Sequence, residues 1–271
     1  MHQEPAARDW NSPIAYDRTV FADEFAKAFG NSPRYNAGSL PSTFALLRMI
    51  ETDRQITDLR WAAYMMATTM WETTSPHRVL RQATNRKGLA IKDKHGKPVM
   101  LKTTHWQMTM APVSEVGHGK GRKYHDPVKI KVLDDGSARI TENDDDQFII
   151  TPSGKIKPLS KIAKMGSNYV QAGIALGRGL ALLLNPELVK TPEIAFELMS
   201  HGMRTGKIFA NGKMLDDFIS GKDADYAGAR SMVNGTDHSS DIAEIAKKIE
   251  AVLVKSRADG KILERATRSL P

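Results

Sequence analysis

The hydrophobic pattern of this chain changes its period twice, which constrains the fold more than any other feature of the sequence. Apolar residues recur at helical spacing up to about residue 74 and again beyond residue 160. Between Ser75 and Pro158, short alternating segments bounded by glycine turns are typical of strands. The sequence therefore predicts an α+β fold, in which two helical parts flank a cleft and inserted β-hairpins form one of its walls.

Start and stop signals bound the predicted helices. The first runs from Asp17 to Phe29 and ends at Gly30, the second follows Ser39-Leu40-Pro41, and the third runs from Thr57-Asp58 to Glu72. C-terminal helices are predicted over residues 162–177, 192–204, 225–233 and 241–255, with a short one at 215–219.

Two hairpins are predicted in the β-rich part. The first joins Leu89-Ala90-Ile91 to Val99-Met100-Leu101, and the second joins Val128–Val132 to Ala138–Thr141 through Asp134-Asp135-Gly136. Phe148–Ile150 adds another strand. We therefore divide the chain into an N-terminal arm and first helix (1–38), a main domain (39–257) with its β-rich insertion at about 85–158, and a C-terminal tail (258–271).

The charge and the cysteine count exclude several classes of protein. The chain of 271 residues has 39 Lys and Arg against 31 Asp and Glu, a net charge of +8 that either steers it to polyanions or only keeps it soluble. It has no cysteine, which excludes disulfide scaffolds and thiol catalysis. No stretch approaches the roughly 20 apolar residues of a membrane span. The N-terminus, Met1–Pro5, has no secretory signal, so synthesis in the cytoplasm is expected.

Metal and cofactor sites are not predicted. Asp144–Asp146 lacks the glycine and the terminal glutamate of a calcium loop, and no G-x-S-x-G elbow is present. Five histidines lack the spacing of a zinc site: His77, His95, His105, His118 and His125.

Glu72 is the first candidate catalytic residue. Helical spacing puts Thr68 and Met65 on its face, so the carboxylate ends an apolar stripe. A carboxyl group in such surroundings has a raised pKa, which suits a general acid. The alternative is that Glu72 lies past the helix end and forms a surface salt bridge with Arg78 or Arg81.

The second candidate is Glu115, which heads a glycine-rich segment, Glu115-Val116-Gly117-His118-Gly119-Lys120-Gly121-Arg122-Lys123-Tyr124. Alternate glycines let a backbone pass close to a ligand, and a carboxylate at the head of such a loop can face a cleft. The segment has neither the frame of a dinucleotide site nor the ending of a Walker loop. An ordinary glycine turn is the alternative.

Together these segments resemble glycoside hydrolase family 19, the chitinases and related phage endolysins of the lysozyme-like superfamily. The run Ala62–Thr74 looks like the family's A-Y-x-x-A-T-x-x-H-E-T helix, and the Glu115 segment is similar to its E-Y-G-x-G-x-G-R-x-Y loop. The resemblance covers residues 40–255 and continues in the family's order: Asn168-Tyr169, Ala175–Gly177, Asn185–Leu188, Pro192–Ala195, Gly202 and Gly206, Asp225–Arg230 and Val233–Asp237.

The resemblance implies a lysozyme-like domain whose cleft hydrolyses β-1,4 bonds between N-acetylated amino sugars with inversion. It makes Glu72 the general acid and Glu115 the general base that activates water. An inverting pair of carboxyl groups stands roughly 6.5–9.5 Å apart.

The resemblance also implies substrate-binding residues. Tyr64 and Tyr124 would line sugar subsites, and Asn234 would hydrogen-bond substrate or water. His118, within the glycine-rich segment, is a further candidate. Asn234 alternatively ends a helix together with Gly235.

Three features depart from the family pattern. Trp71 replaces a histidine, residues 156–167 replace the expected G-R-G-Y-x-Q-L-T strand, and the Leu89–Leu101 hairpin lengthens the spacing between the two glutamates. The missing strand motivates a second hypothesis, a catalytically inactive glycan-binding or structural protein.

The sequence thus predicts a hydrolase of peptidoglycan or a chitin-like glycan, either a phage endolysin or an interbacterial effector. It would act on the cell wall, in the periplasm of the host or target cell. Expected protein partners are an immunity protein or a secretion or holin component. Nucleic acid is not expected as a partner.

Overall fold

The computed structural model describes residues 15–32, 34–87, 89–112, 128–142, 145–153, 155–159, 163–233 and 235–258. Helices at both ends of the chain enclose a stretch of antiparallel strands. The predicted α+β class is confirmed at this level.

Three helices form the N-terminal part: α1 (Arg18–Phe29), α2 (Leu40–Thr52) and α3 (Leu59–Glu72). Helix α1 begins where the Asp17 carboxylate accepts hydrogen bonds from the first-turn N–H groups, and it ends before Gly30. Phe21, Phe25 and Phe29, four residues apart, are all buried on one face. These helices agree with the predicted ones to within about two residues.

A long hairpin follows α3. Strand β1 (Thr74–Gln82) pairs with β2 (Met100–Met108), so the predicted Leu89–Leu101 hairpin is the tip of a longer one. At this tip the backbone closes a triangle of hydrogen bonds. Ala83 N–H donates to Val99, Val99 N–H to Ile91, and Ile91 N–H to Ala83, at 2.8 to 2.9 Å.

A second sheet packs on the middle helices. Its four antiparallel strands lie in chain order, β3 (Val128–Val132), β4 (Ala138–Glu142), β5 (Asp145–Ile150) and β6 (Ile156–Pro158). Two helices follow, α4 (Ala163–Ala175) and α5 (Ala181–Leu184). Ile140 from the sheet meets Val170 and Leu183 from these helices in a small buried cluster.

The C-terminal part is helical again. Its elements are α6 (Pro192–Thr205), β7 (Ile219–Ser220), β8 (Asp223–Ala224), α7 (Tyr226–Ala229) and α8 (Ser239–Ser256). Helix α6 ends at Gly206, whose φ of 70° is left-handed and favours glycine. The helix predicted over 225–233 is instead the short α7 followed by a 3-10 turn, Arg230–Met232, which brings Arg230 inward.

The principal core lies where α3 and α1 pack against α8. Helix α1, which sequence analysis grouped with the N-terminal arm, contributes Phe21 and Phe25 to this core. The ends of the described chain meet here, because Ala258 N–H donates to the carbonyl of Ala15 at 2.8 Å. None of the described helices has the length and apolar character needed to cross a membrane.

Candidate functional site

Helix α3 runs through the core and carries the candidate acid at its end. The Asp58 carboxylate accepts a hydrogen bond from Arg60 N–H at 2.8 Å and pairs with the Arg60 guanidinium at 2.6 Å, which anchors the first turn. Every residue from Ala62 to Thr68 is buried. The core therefore fixes the direction of the helix, and Glu72 projects from a rigid element.

Glu72 is held by a buried arginine. Nη1 of Arg230 donates a hydrogen bond to Oε1 of Glu72 at 2.6 Å, and Nε of Arg230 donates to the carbonyl of Asp237 at 3.0 Å. The Arg230 side chain is 2% exposed, whereas that of Glu72 is 44% exposed. A buried guanidinium needs such partners, so the pair is a structural requirement as well as a candidate site.

The expected burial of Glu72 is wrong. Thr68 on the same face is buried, but Glu72 is the last residue of α3 and nearly half its side chain meets solvent. The alternative correctly gave Glu72 a salt bridge, but it placed the residue past the helix end, with Arg78 or Arg81 as partner. Among the described residues its partner is Arg230, which is 158 positions away.

Trp71, next to the candidate acid, is covered by charged and polar groups. The Arg34 guanidinium carbon lies 3.7 Å from the centre of the Trp71 ring, a cation–π contact. The His238 ring lies 4.7 Å away, and Nδ1 of His238 is 3.2 Å from a carboxylate oxygen of Asp241. Trp71 therefore ties the end of α3 to the start of α8.

An apolar cavity of about 340 Å³ opens beside Glu72. This volume lies within the range of roughly 300–1,000 Å³ that is usual for small-ligand sites. Most of its described wall comes from α2, α3 and α6, and the segments Met110–Pro112 after β2, Phe209 after α6 and Val233 add to it. The wall is largely apolar and includes Met49, Phe196, Met199 and Phe209.

Tyr64 is not at the surface of this cavity. Its side chain is fully buried and its ring is parallel to that of Tyr226, with 6.4 Å between their centres. Burial raises the pKa of Tyr64 to about 12, against a lowering by the nearby Thr68 hydroxyl and Arg230 charge. A side chain without solvent exposure cannot contact a sugar, so the expectation that Tyr64 lines a subsite is corrected.

The remaining candidates lie outside the described residues: Glu115, His118, Tyr124 and Asn234. The chain leading to Glu115 is described as far as Pro112, which lines the same cavity as Glu72. That segment is fixed to the end of α3, since Met110 N–H donates to Thr73 Oγ1 and Thr109 Oγ1 donates to the Thr73 carbonyl, both at 3.0 Å.

Arg230 is the site residue that sequence reasoning missed. Arg230 is the last residue of Asp225–Arg230, one of the segments that resemble the family, but the sequence assigned it no role. Its burial and its pairing with Glu72 depend on contacts between distant parts of the chain, which the sequence does not display.

In the described ranges, no group of three or more histidine and acidic side chains is placed to hold a metal ion. No family model matches the chain, and neither a curated protein nor a solved structure matches it.

Proposed function

We propose that this protein is a glycoside hydrolase with a lysozyme-like fold, which cleaves β-1,4 bonds of peptidoglycan by an inverting mechanism. One observation carries the proposal: the carboxylate of Glu72, at the end of a buried helix, is held by Arg230 at the edge of an apolar cavity. The resemblance to family 19 assigns the role of general acid to this same residue.

The geometry supports an acid at Glu72. Oε1 is engaged by Arg230, while Oε2 has no hydrogen bond within the described part of the chain and is the oxygen left to face a leaving group. When the acid gives its proton to the leaving-group oxygen, the new negative charge lies against a guanidinium that is already in place. Such preorganised charge stabilises the product of the transfer without rearrangement.

The base in this proposal is Glu115, three residues beyond Pro112 in the sequence. It would activate the water that attacks the anomeric carbon from the opposite face of the sugar. The apolar cavity wall suits the methyl group of an N-acetyl substituent.

The proposal includes the biological setting. The protein is made in the cytoplasm and acts on the wall of a host or target cell as an endolysin or interbacterial effector. An immunity protein or a secretion or holin component would be its partner.

Turbidity of permeabilised Gram-negative cells tests this function. Wild-type protein should clear the suspension, Glu72→Gln should not, and Glu244→Gln, at an exposed carboxylate on α8, should clear it like wild type. Mass analysis of the released fragments distinguishes cleavage of murein from that of chitin. Equal digestion by wild type and Glu72→Gln would show that the acid is assigned wrongly.

A second candidate is a catalytically inactive glycan-binding protein. Where the family has its G-R-G-Y-x-Q-L-T strand, this chain has β6, a three-residue strand at the edge of the sheet. Helix α4 follows shortly after it. Residues that would surround the attacking water are thus replaced. Pull-down with insoluble sacculi, with reducing sugar measured in the supernatant, separates the two functions, because an inactive binder sediments with the sacculi but releases no sugar.

A further inference from the structure

The tip of the β1–β2 hairpin, residues 82–101, concentrates positive charge. It has five Lys and Arg against one Asp, a net charge of +4 that is half of the chain's +8. All five cations are exposed, and none has an ion-pair partner among the described residues: Arg86, Lys87, Lys92, Lys94 and Lys97. The acid, Asp93, accepts hydrogen bonds from the N–H groups of His95 and Lys97 and so belongs to the turn.

The same tip exposes four large apolar side chains. Leu89 is 63% exposed, Ile91 42%, Met100 49% and Leu101 52%. Nothing in the described chain covers them. Single exposed apolar residues are ordinary, but four within thirteen positions of one hairpin tip mark an interaction surface.

The backbone of the tip is well ordered by its own hydrogen bonds. The hydrogen bonds among Ala83, Ile91 and Val99 hold three segments of the tip together, and Ala83 itself is buried. Substitutions of exposed side chains at the tip therefore leave the principal core untouched.

We propose that this hairpin tip docks on an anionic phospholipid bilayer. The cations pair with headgroup phosphates, and the four apolar side chains enter the boundary between headgroups and acyl chains. A soluble polyanion such as nucleic acid or wall polymer accounts for the cations but leaves the apolar side chains in water. A bilayer surface satisfies both, which favours lipid. The inference does not depend on the hydrolase function.

Co-sedimentation of the full chain with vesicles tests the proposal. Vesicles of phosphatidylcholine containing roughly one-third phosphatidylglycerol should bind the wild type, and pure phosphatidylcholine should bind it far less. The triple variant Lys92→Gln, Lys94→Gln, Lys97→Gln should lower partitioning on the order of a hundredfold. The double variant Leu89→Ser, Leu101→Ser should lower it by about tenfold or more.

Matched variants elsewhere control for overall charge and hydrophobicity. The triple variant Lys207→Gln, Lys213→Gln, Lys222→Gln removes three exposed cations outside the hairpin. Leu184→Ser removes an apolar side chain that is 58% exposed on α5. Both proteins should bind the anionic vesicles like wild type, and all variants should unfold thermally at the wild-type temperature because the substituted side chains are exposed.

Two outcomes would overturn the proposal. If the charge variant loses binding while the leucine variant does not, the tip captures polyanions, and duplex DNA and sacculi would then compete with the vesicles. If the control lysines matter as much as the tip lysines, attraction is a property of the whole surface.

Discussion

Arg230 and Glu72 form an ion pair across 2.6 Å in which the cation is buried and the anion is nearly half exposed. The two partners therefore depend on each other unequally. Glu72 can be solvated if it loses Arg230, whereas Arg230 without Glu72 keeps its charge in the core, where the Asp237 carbonyl still accepts a hydrogen bond from its Nε.

This asymmetry predicts how substitutions of Glu72 alter stability. Glu72→Ala should lower the free energy of unfolding by about 3 kcal/mol, because it strands the buried guanidinium. Glu72→Gln retains an amide oxygen that accepts from Nη1, and should lower it by about 1 kcal/mol. Urea denaturation measures both, with Glu244→Ala on the surface of α8 as the control. Equal losses for Ala and Gln would mean that Arg230 finds another partner.

Tyr64 and Tyr226, whose rings are stacked, should respond in opposite ways when each is replaced by phenylalanine and stability is measured. The Tyr64 hydroxyl is buried without a hydrogen bond of acceptable geometry in the described ranges, so Tyr64→Phe should leave stability unchanged or raise it by about 1 kcal/mol. The Tyr226 hydroxyl donates to Glu250 at 3.0 Å, so Tyr226→Phe should lower stability by about 1 kcal/mol. Thermal unfolding measures both.

The burial of Tyr64 also predicts how Tyr64→Phe affects activity. Because Tyr64 lies in the core, Tyr64→Phe should behave like wild type in the turbidity assay that tests the proposed hydrolase function. A loss of clearing by this variant without a loss of stability would contradict the placement of the Tyr64 side chain away from the site.

His201 on α6 predicts a pH dependence of stability. Burial lowers the pKa of His201 below its ordinary 6.5, and the charges of Arg204 and Lys207 lower it further. The unfolded chain therefore takes up this proton at a higher pH than the folded protein. The free energy of unfolding should fall as pH drops below about 6.5, and the loss should level off once the folded pKa is passed.

His201→Gln tests this dependence because it keeps a neutral polar side chain. Denaturation profiles between about pH 8 and pH 5.5 should be flatter for this variant than for wild type. His95→Gln, at the exposed hairpin tip, should keep the wild-type slope. Identical slopes in all three proteins would assign the dependence to other groups.

Gly173 in α4 predicts a strong effect of adding one methyl group. A Cβ there would overlap the carbonyl oxygen of Gly179, a backbone atom that cannot rotate away. Gly173→Ala should destabilise by about 3 kcal/mol. Gly177 has a φ of 66° and open space around its Cβ position, so Gly177→Ala should cost about 1 kcal/mol. If denaturant unfolding showed similar losses of stability for Gly173→Ala and Gly177→Ala, the Gly179 backbone would have moved to make room for the new Cβ.

Local signals predicted the helices well. Helix α3 was expected to end at Glu72 and does, and the turn before β4 lies at Gly136, where φ is 77°. Such features depend on residues a few positions apart, which periodicity and turn chemistry describe. The nine-residue strand β1 was missed, because Thr74–Gln82 has little apolar alternation and its pairing is with β2.

The site was predicted less completely, for a physical reason. Ala62–Thr68 is buried all round, so spacing along α3 could not tell a core tyrosine from one that lines a subsite. Arg230 pairs with Glu72 across 158 positions of sequence, and no local pattern contains such a contact. The assignment of Glu115 rests on the family resemblance alone.

The hydrogen bond between Ala258 and Ala15 places the two ends of the described chain next to each other. The order of the elements along the chain can therefore be changed by circular permutation without changing the packing that stabilises the fold. A circularly permuted chain, with residue 258 linked to residue 15 and new ends opened at the exposed Gly96 turn, would keep α1, α3 and α8 together. Any domain fused at residue 15 or residue 258 would emerge from one edge of the molecule.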